Sequence, residues 1–264
     1  MTEYTLITGA TSGIGYALAV EFAKRGQALL LASRNLPKMR AVQKELQAKY
    51  KVPVVLVPSD LSQPAAPQKL YDYCRKNKRT VSVLVNNSGF GLKARPQVDQ
   101  NLAECERLFQ VNLHAVLQLS TLFGRDMKKR RRGYILNVAS TAAFQPMPYA
   151  ALYGASKAFV LALSEAMHIE MQDYGVGITA LCPGITDTNF FKNGKPTVPG
   201  WLYKLVSPEL VARRAVKALY QKKIYIVPYF QHWLIAQFSR FGTRKTIART
   251  MRRIEKMRKK IRFL

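Results

Sequence analysis

Leu6-Ile7-Thr8-Gly9-Ala10-Thr11-Ser12-Gly13-Ile14-Gly15 stands near the start of the chain, and its reading decides the fold. The apolar run over residues 4–8 has the length of a buried strand, and a helical pattern over 14–25 follows the last glycine. Glycines between a strand and a helix let the chain turn tightly and bring backbone N–H groups to the helix N-terminus. The helix dipole favours an anion there, above all a pyrophosphate. The spacing is Gly-x3-Gly-x-Gly, which differs from the Gly-x-Gly-x-x-Gly of the general dinucleotide fingerprint. A glycine-rich turn with no ligand shares this pattern, so the rest of the chain has to decide.

Outward from this turn, apolar β-rich runs alternate with helical patterns. Strands are expected over 4–8, 28–32, 54–57, 83–86, 134–138, 177–181 and 224–227. Helices are expected over 14–25, 38–49, 68–76, 102–127, 155–172 and 208–221. Several strand runs are apolar without alternation, as expected when helices cover both faces of a sheet. The pattern predicts an α/β fold, a doubly wound, parallel, seven-stranded Rossmann-type sheet in a single domain with a helical C-terminal extension. Ligands of such a sheet lie beyond the carboxyl ends of its strands. The second strand ends in Ser33-Arg34, where an NAD-selective site would carry an acidic residue for the ribose 2′-hydroxyl. A hydroxyl and a guanidinium suit a 2′-phosphate instead, so NADP(H) is expected in preference to NAD(H). An exposed arginine on a basic protein is the plainer alternative.

Bulk properties narrow the class. The 264 residues suffice for one large α/β domain, and no composition break divides them. The run over 4–7 is too short for the apolar core of a signal peptide, and no stretch approaches a membrane span. Cys74, Cys105 and Cys182 are widely spaced, as are His114, His168 and His232, so no metal site is expected and a reducing compartment fits. The net charge of +27 favours anionic partners: cofactor phosphates, acyl carriers, acidic membrane surfaces or nucleic acid.

Further motifs fall at the strand ends. Asn86-Asn87-Ser88-Gly89 follows the fourth strand, Asn112 lies in the next helix and Ser140 follows the fifth strand. Tyr153-Gly154-Ala155-Ser156-Lys157 opens the following helix, and Pro183-Gly184 with Thr188 follows the sixth strand. In this order they resemble the short-chain dehydrogenase/reductase family, in the subgroup with a Thr-Gly-x3-Gly-x-Gly turn and an Asn, Ser, Tyr-x3-Lys active site. The resemblance runs over residues 4–228, and Ser88 departs from the family's more usual alanine.

Tyr153 and Lys157 are four residues apart and share one helix face. Free tyrosine, with a pKa of about 10, is a poor acid at neutral pH, and a nearby ammonium is expected to pull it down. The resemblance implies that Tyr153 exchanges the proton with the substrate oxygen and that Lys157 also holds the nicotinamide ribose. It implies that Ser140 donates a hydrogen bond to that oxygen, and that Asn112 holds a water linking Lys157 to solvent. The cofactor contacts implied are Gly9, Thr11, Ser12, Gly13, Ile14, Gly15, Ser33, Arg34, Asp60, Leu61, Asn86, Gly89, Tyr153, Lys157, Pro183, Gly184, Ile185 and Thr188. Asp60 would cap the adenine amino group and Asn86 would lie by the adenine ribose. Thr188 and the Ile185 backbone would meet the carboxamide.

The family's lid corresponds to residues 186–207, with Phe190, Phe191, Trp201, Leu202, Tyr203 and Leu205; Phe144, Met147 and Tyr149 precede the catalytic tyrosine. An apolar lining implies a lipophilic ketone or 3-oxoacyl compound, and packing of the lid alone is the alternative. Residues 229–264 form a basic amphipathic extension in which Ile247, Met251, Ile254, Ile261 and Leu264 recur among Lys and Arg. It docks on its own domain or a second subunit, lies on an anionic membrane through residues 240–264, or binds nucleic acid, which no motif supports. The expected protein is a cytoplasmic NADP(H)-dependent oxidoreductase acting on a carbonyl/alcohol carbon, homo-oligomeric by resemblance and open to peripheral membrane contact. The alternative is a non-catalytic NADP(H)-binding sensor or scaffold that attaches to an anionic surface through its tail.

Overall fold

The computed structural model describes residues 2–188, 205–239 and 241–260, with only the backbone over 257–260. Seven parallel strands form one sheet: β1 (Glu3–Thr8), β2 (Ala28–Ser33), β3 (Val54–Pro58), β4 (Thr80–Asn86), β5 (Gly133–Val138), β6 (Val176–Leu181) and β7 (Tyr225–Ile226). Their order is β3-β2-β1-β4-β5-β6-β7, the doubly wound arrangement, with its switch point between β1 and β4.

The lack of alternation in the strand sequences follows from burial on both faces. Ile7, Leu29, Leu31, Val83 and Val85 enter one core beneath α1 (Gly13–Ala23), α2 (Leu36–Tyr50) and α7 (Pro208–Tyr220). Their neighbours Leu6, Leu30 and Leu84 enter the other, beneath α3 (Ala66–Lys76), α5 (Ala115–Arg130) and the end of α6 (Ala151–Met171). Successive side chains point to opposite faces, so an all-apolar strand serves both cores at once.

The helical pattern over 102–127 is not one helix. It is α4 (Leu102–Phe109), a π turn (Gln110–His114) and α5. Apolar periodicity does not register one widened turn, and such π turns concentrate at functional sites. Helix α6 begins at Ala151 rather than near residue 155, so Tyr153 lies inside its first turn. Beyond β7 come α8 (Phe230–Phe238) and α9 (Arg244–Lys260). Among the described residues, no helix is long and apolar enough to cross a membrane.

Candidate active site

The glycine turn after β1 sits at the switch point. Gly9 and Gly13 hold φ of +68° and +56°, a region that costs other residues strain. A Cβ on Gly15 would collide with the Gly9 carbonyl oxygen and with Asn87 Nδ2. The turn is pinned from β4: Asn87 Nδ2 donates to Thr8 O at 3.0 Å and to Gly9 O at 3.2 Å. The N–H groups of Asn87 and Ser88 both donate to Thr8 Oγ1 at 3.0 Å. Ser12 caps α1 with extended backbone and no side-chain cap bond, and the first turn holds no acidic residue. The N–H groups over Thr11 to Ile14 are therefore suited to an anion, the electrostatic condition for a pyrophosphate.

Arg34 and Asp60, at the ends of β2 and β3, approach each other at 4.0 Å with both side chains substantially exposed. Asp60 Oδ1 also accepts from Ser62 N at 3.1 Å and Ser62 Oγ at 2.8 Å, which fixes the carboxylate beside the buried Leu61. An exposed ion pair of this kind contributes little to stability. The guanidinium thus stays at the end of β2, beside Ser33, within reach of an anion there.

Asn86 turns away from this cleft. Its Nδ2 donates to Asn137 Oδ1 at 2.9 Å and Ser120 Oγ at 3.0 Å, and Asn137 Nδ2 continues to Ser164 Oγ at 3.0 Å. Through its amide nitrogen, the side chain expected beside an adenine ribose ties β4 to β5 and α5. These bonds use only its Nδ2, and its Oδ1 is buried without a hydrogen-bond partner among the described residues.

The proposed catalytic four meet at the carboxyl ends of β4 and β5. Ser140, after β5, accepts from Ala142 N at 3.1 Å and hydrogen-bonds Tyr153. Lys157, 5% exposed, donates from Nζ to Val138 O at 2.7 Å. Asn112, in the π turn, accepts from Phe90 N at 3.1 Å and donates to Phe90 O at 3.0 Å and Ser156 Oγ at 3.2 Å. A Cβ on Gly89 would stand 3.2 Å from Asn112 Oδ1 and 3.4 Å from Lys157 Nζ. Gly89 therefore keeps open the gap between the amide and the ammonium.

Burial dominates the electrostatics of Tyr153 and Lys157. Burial raises the Tyr153 phenol above its ordinary value, and the hydrogen bond with Ser140 pulls the other way. Lys157 stands beside it. Its Nζ turns to the Val138 carbonyl, 5.9 Å from the Tyr153 ring centroid, and burial depresses the lysine itself to about 8. In this pair desolvation outweighs attraction between partners.

On the far side, Pro183 O accepts from Thr141 N at 3.0 Å, joining the loop after β6 to the one after β5. Val206 N donates to Ile185 O at 3.2 Å and Asp187 N to Val206 O at 2.9 Å, so the two feet of the 186–207 segment are clamped together. The Thr188 methyl lies 3.0 Å from where a Gly13 Cβ would be, which brings this loop against the glycine turn. Phe190, Phe191, Trp201, Leu202 and Tyr203 lie outside the described residues. Phe144 packs against Tyr225 with ring centroids 5.9 Å apart, and Met147 packs on Gly154. Tyr149 adopts φ +67°, and its carbonyl accepts from Arg95 N at 3.1 Å.

Three supports had no role assigned from the sequence. Asn87 locks two loops, and Ser156 joins Asn112 to α6 by donating to Tyr153 O at 2.7 Å. His232 of α8 is the third. A Cβ on Gly184 would stand 2.5 Å from His232 Cγ and 2.6 Å from Cε1. The doubled asparagine was a visible signal; His232 had none.

The family model for short chain dehydrogenases matches residues 3–198. The chain belongs to the short-chain dehydrogenase/reductase family. Members of this family are oxidoreductases acting on CH–OH and carbonyl groups. The chain is 33% identical over 202 residues to mouse (Mus musculus) 17-beta-hydroxysteroid dehydrogenase type 3, covering 75% of this chain. That match spans 65% of the mouse protein, under two thirds of its length. It is 30% identical over 225 residues to bovine (Bos taurus) very-long-chain 3-oxoacyl-CoA reductase, covering 82% of this chain and 68% of that one. Among solved structures, a short-chain dehydrogenase from Sphingobium yanoikuyae in complex with NADPH superposes with a TM-score of 0.81. It is 28% identical, with 91% of this chain and 94% of that chain covered. The family match covers the turn after β1 and Asn112, Ser140, Tyr153 and Lys157.

Proposed function

We propose that the chain is an NADP(H)-dependent oxidoreductase that acts on a lipophilic ketone or 3-oxoacyl compound, or on the corresponding alcohol. The carrying observation is the Ser140–Tyr153 hydrogen bond beside a buried Lys157. When bound, the nicotinamide supplies or accepts the hydride. Gly9 and Thr11 to Gly15 would hold the pyrophosphate, Asp60 and Leu61 the adenine, and Ser33 and Arg34 the 2′-phosphate. Gly89, Asn86, Pro183, Gly184, Ile185 and Thr188 would line the remaining length. Lys157 would exchange its bond with Val138 O for one to the ribose. Ser140 would donate to the substrate oxygen, and Tyr153, held protonated by burial, would give that oxygen its proton during reduction. Asn112 and Gly89 would leave a path by which Lys157 returns the proton. The NADPH complex of the Sphingobium relative and the basic Arg34 support the cofactor preference.

The substrate class rests on two relatives whose names specify a steroid and a very-long-chain acyl thioester. Both are lipophilic, and a coenzyme A thioester is also an anion suited to a chain of charge +27. We place the catalytic body in residues 1–228 and a helical extension in 229–264, with a homo-oligomer and peripheral contact with anionic membranes as the assembly.

The test follows reduced-nicotinamide absorbance with NADPH and a panel of steroid ketones, aryl ketones and 3-oxoacyl thioesters. The expected result is turnover of at least one lipophilic class. Tyr153→Phe should bind NADPH as before and lose about a hundredfold or more in turnover. NADPH binding without turnover on any member would favour the sensor or scaffold reading instead.

A further inference from the structure

Helix α8 carries opposite chemistry on its two sides. Inward, His232 and Ala236 are buried, and the imidazole lies on Gly184 in the loop after β6. Outward, Phe230, Phe238 and Phe241 are 66%, 70% and 88% exposed, with Trp233 and Leu234 also open to solvent. Phe230 and Trp233 stack at 5.8 Å. Steps of three, four and eight residues put Phe230, Trp233, Leu234 and Phe238 on one face of α8, and Phe241 follows beyond its end. A contiguous exposed patch of this kind marks an interaction surface.

Helix α9 differs from the helix its sequence suggests. Its apolar residues Ile247, Met251 and Ile254 are half-buried, Ile247 lies against Gly242, and Glu255 is buried. The charged residues that α9 exposes are all basic: Arg244, Lys245, Arg249, Arg252, Arg253 and Lys256 among the described side chains. Cations and apolar groups available for contact therefore come from successive helices, aromatic from α8 and basic from α9.

We propose that the outer face of α8 with Phe241 is a bilayer-docking wedge, and that the exposed cations of α9 hold it on an anionic phospholipid surface. This deepens the peripheral-membrane reading above and rests on it. Aromatic rings favour the membrane interface, and Lys and Arg are drawn to anionic headgroups. Glu255 is the sole acid in residues 229–264, so a second copy would bring a like-charged face against this one. Because α8 also backs Gly184, docking would set the active-site wall one helix away from the acyl chains in which a lipophilic substrate dissolves.

The test uses the full chain carrying Trp201→Phe, which leaves Trp233 as the single tryptophan. Its emission is recorded with phosphatidylglycerol/phosphatidylcholine vesicles and with phosphatidylcholine alone, including acyl-brominated lipid, beside co-sedimentation. Anionic vesicles should shift Trp233 to the blue and brominated lipid should quench it. Phe230→Ser with Phe238→Ser and Phe241→Ser should lower partitioning by about tenfold or more, with turnover of a water-soluble ketone unchanged. Vesicle binding with Trp233 still in water overturns the α8 surface while leaving the tail's membrane contact standing. Absence of vesicle binding at low salt overturns both. A Trp233 shift that grows with protein concentration in the absence of lipid gives the face to a second copy and overturns the proposal.

Discussion

At the scale of single residues, Arg34 and Lys157 carry charges whose surroundings give different predictions. Arg34 is exposed and only loosely paired with Asp60 at 4.0 Å, so little opposes its turning to a 2′-phosphate. Arg34→Ala should weaken NADPH binding by about ten- to a hundredfold, the worth of a charge-assisted contact of about 1.5–3 kcal/mol. NADH binding should hardly change, and equal losses for both cofactors, measured by titration, would refute the preference. Lys157 is buried, and desolvation depresses it from 10.5 to about 8. The folded chain therefore binds fewer protons than the unfolded chain between those values, and its stability rises with pH through that window. Activity should run the other way, since the ammonium that holds the ribose is lost as pH rises through about 8. Lys157→Met should abolish its share of the stability rise in urea unfolding. An unchanged pH dependence in that variant would place the depression elsewhere.

At the scale of elements, the strands were legible because seven short apolar runs have one economical use, burial on both faces of a parallel sheet. The order of the glycine turn, Asn112, Ser140, Tyr153 and Lys157 was legible for the same reason that strand ends were. What escaped the sequence is pairing. Asn86 Nδ2 joins Asn137 and Ser120, and the π turn that aims Asn112 at Phe90 keeps the apolar period of its flanking helices. The role of α8 was hidden most completely, since Gly184 and His232 are far apart in sequence and meet only through packing. Gly184→Ala would drive a methyl into the imidazole, an overpacking that costs about 1–3 kcal/mol. Its urea midpoint should fall and its KM for NADPH should rise. His232→Ala in the same chain should recover part of both, because the two sites share one space. A Gly184→Ala chain as stable as the parent would show that the contact yields freely.

At the scale of the whole molecule, 42 basic residues against 15 acidic ones create a long-range positive field. Such a field acts on encounter more than on the bound complex, and it acts only on charged partners. Lys93 and Arg95 extend it along the loop after β4, where the Arg95 backbone meets Tyr149, four residues before Tyr153. An anionic substrate such as a 3-oxoacyl coenzyme A thioester should be steered to this rim, whereas a neutral steroid ketone should arrive by unaided diffusion. Salt separates the two cases, because screening shortens the reach of the field from about 10 Å at 0.1 M to about 3 Å at 1 M. With NADPH saturating at every salt, kcat/KM for the thioester should fall several-fold over that range through KM, with kcat nearly constant. The same measurement on a neutral ketone should stay level. A fall of equal size for both substrates would mean that salt acts on the protein itself, and the charge would then have to be assigned to a surface other than the active-site rim.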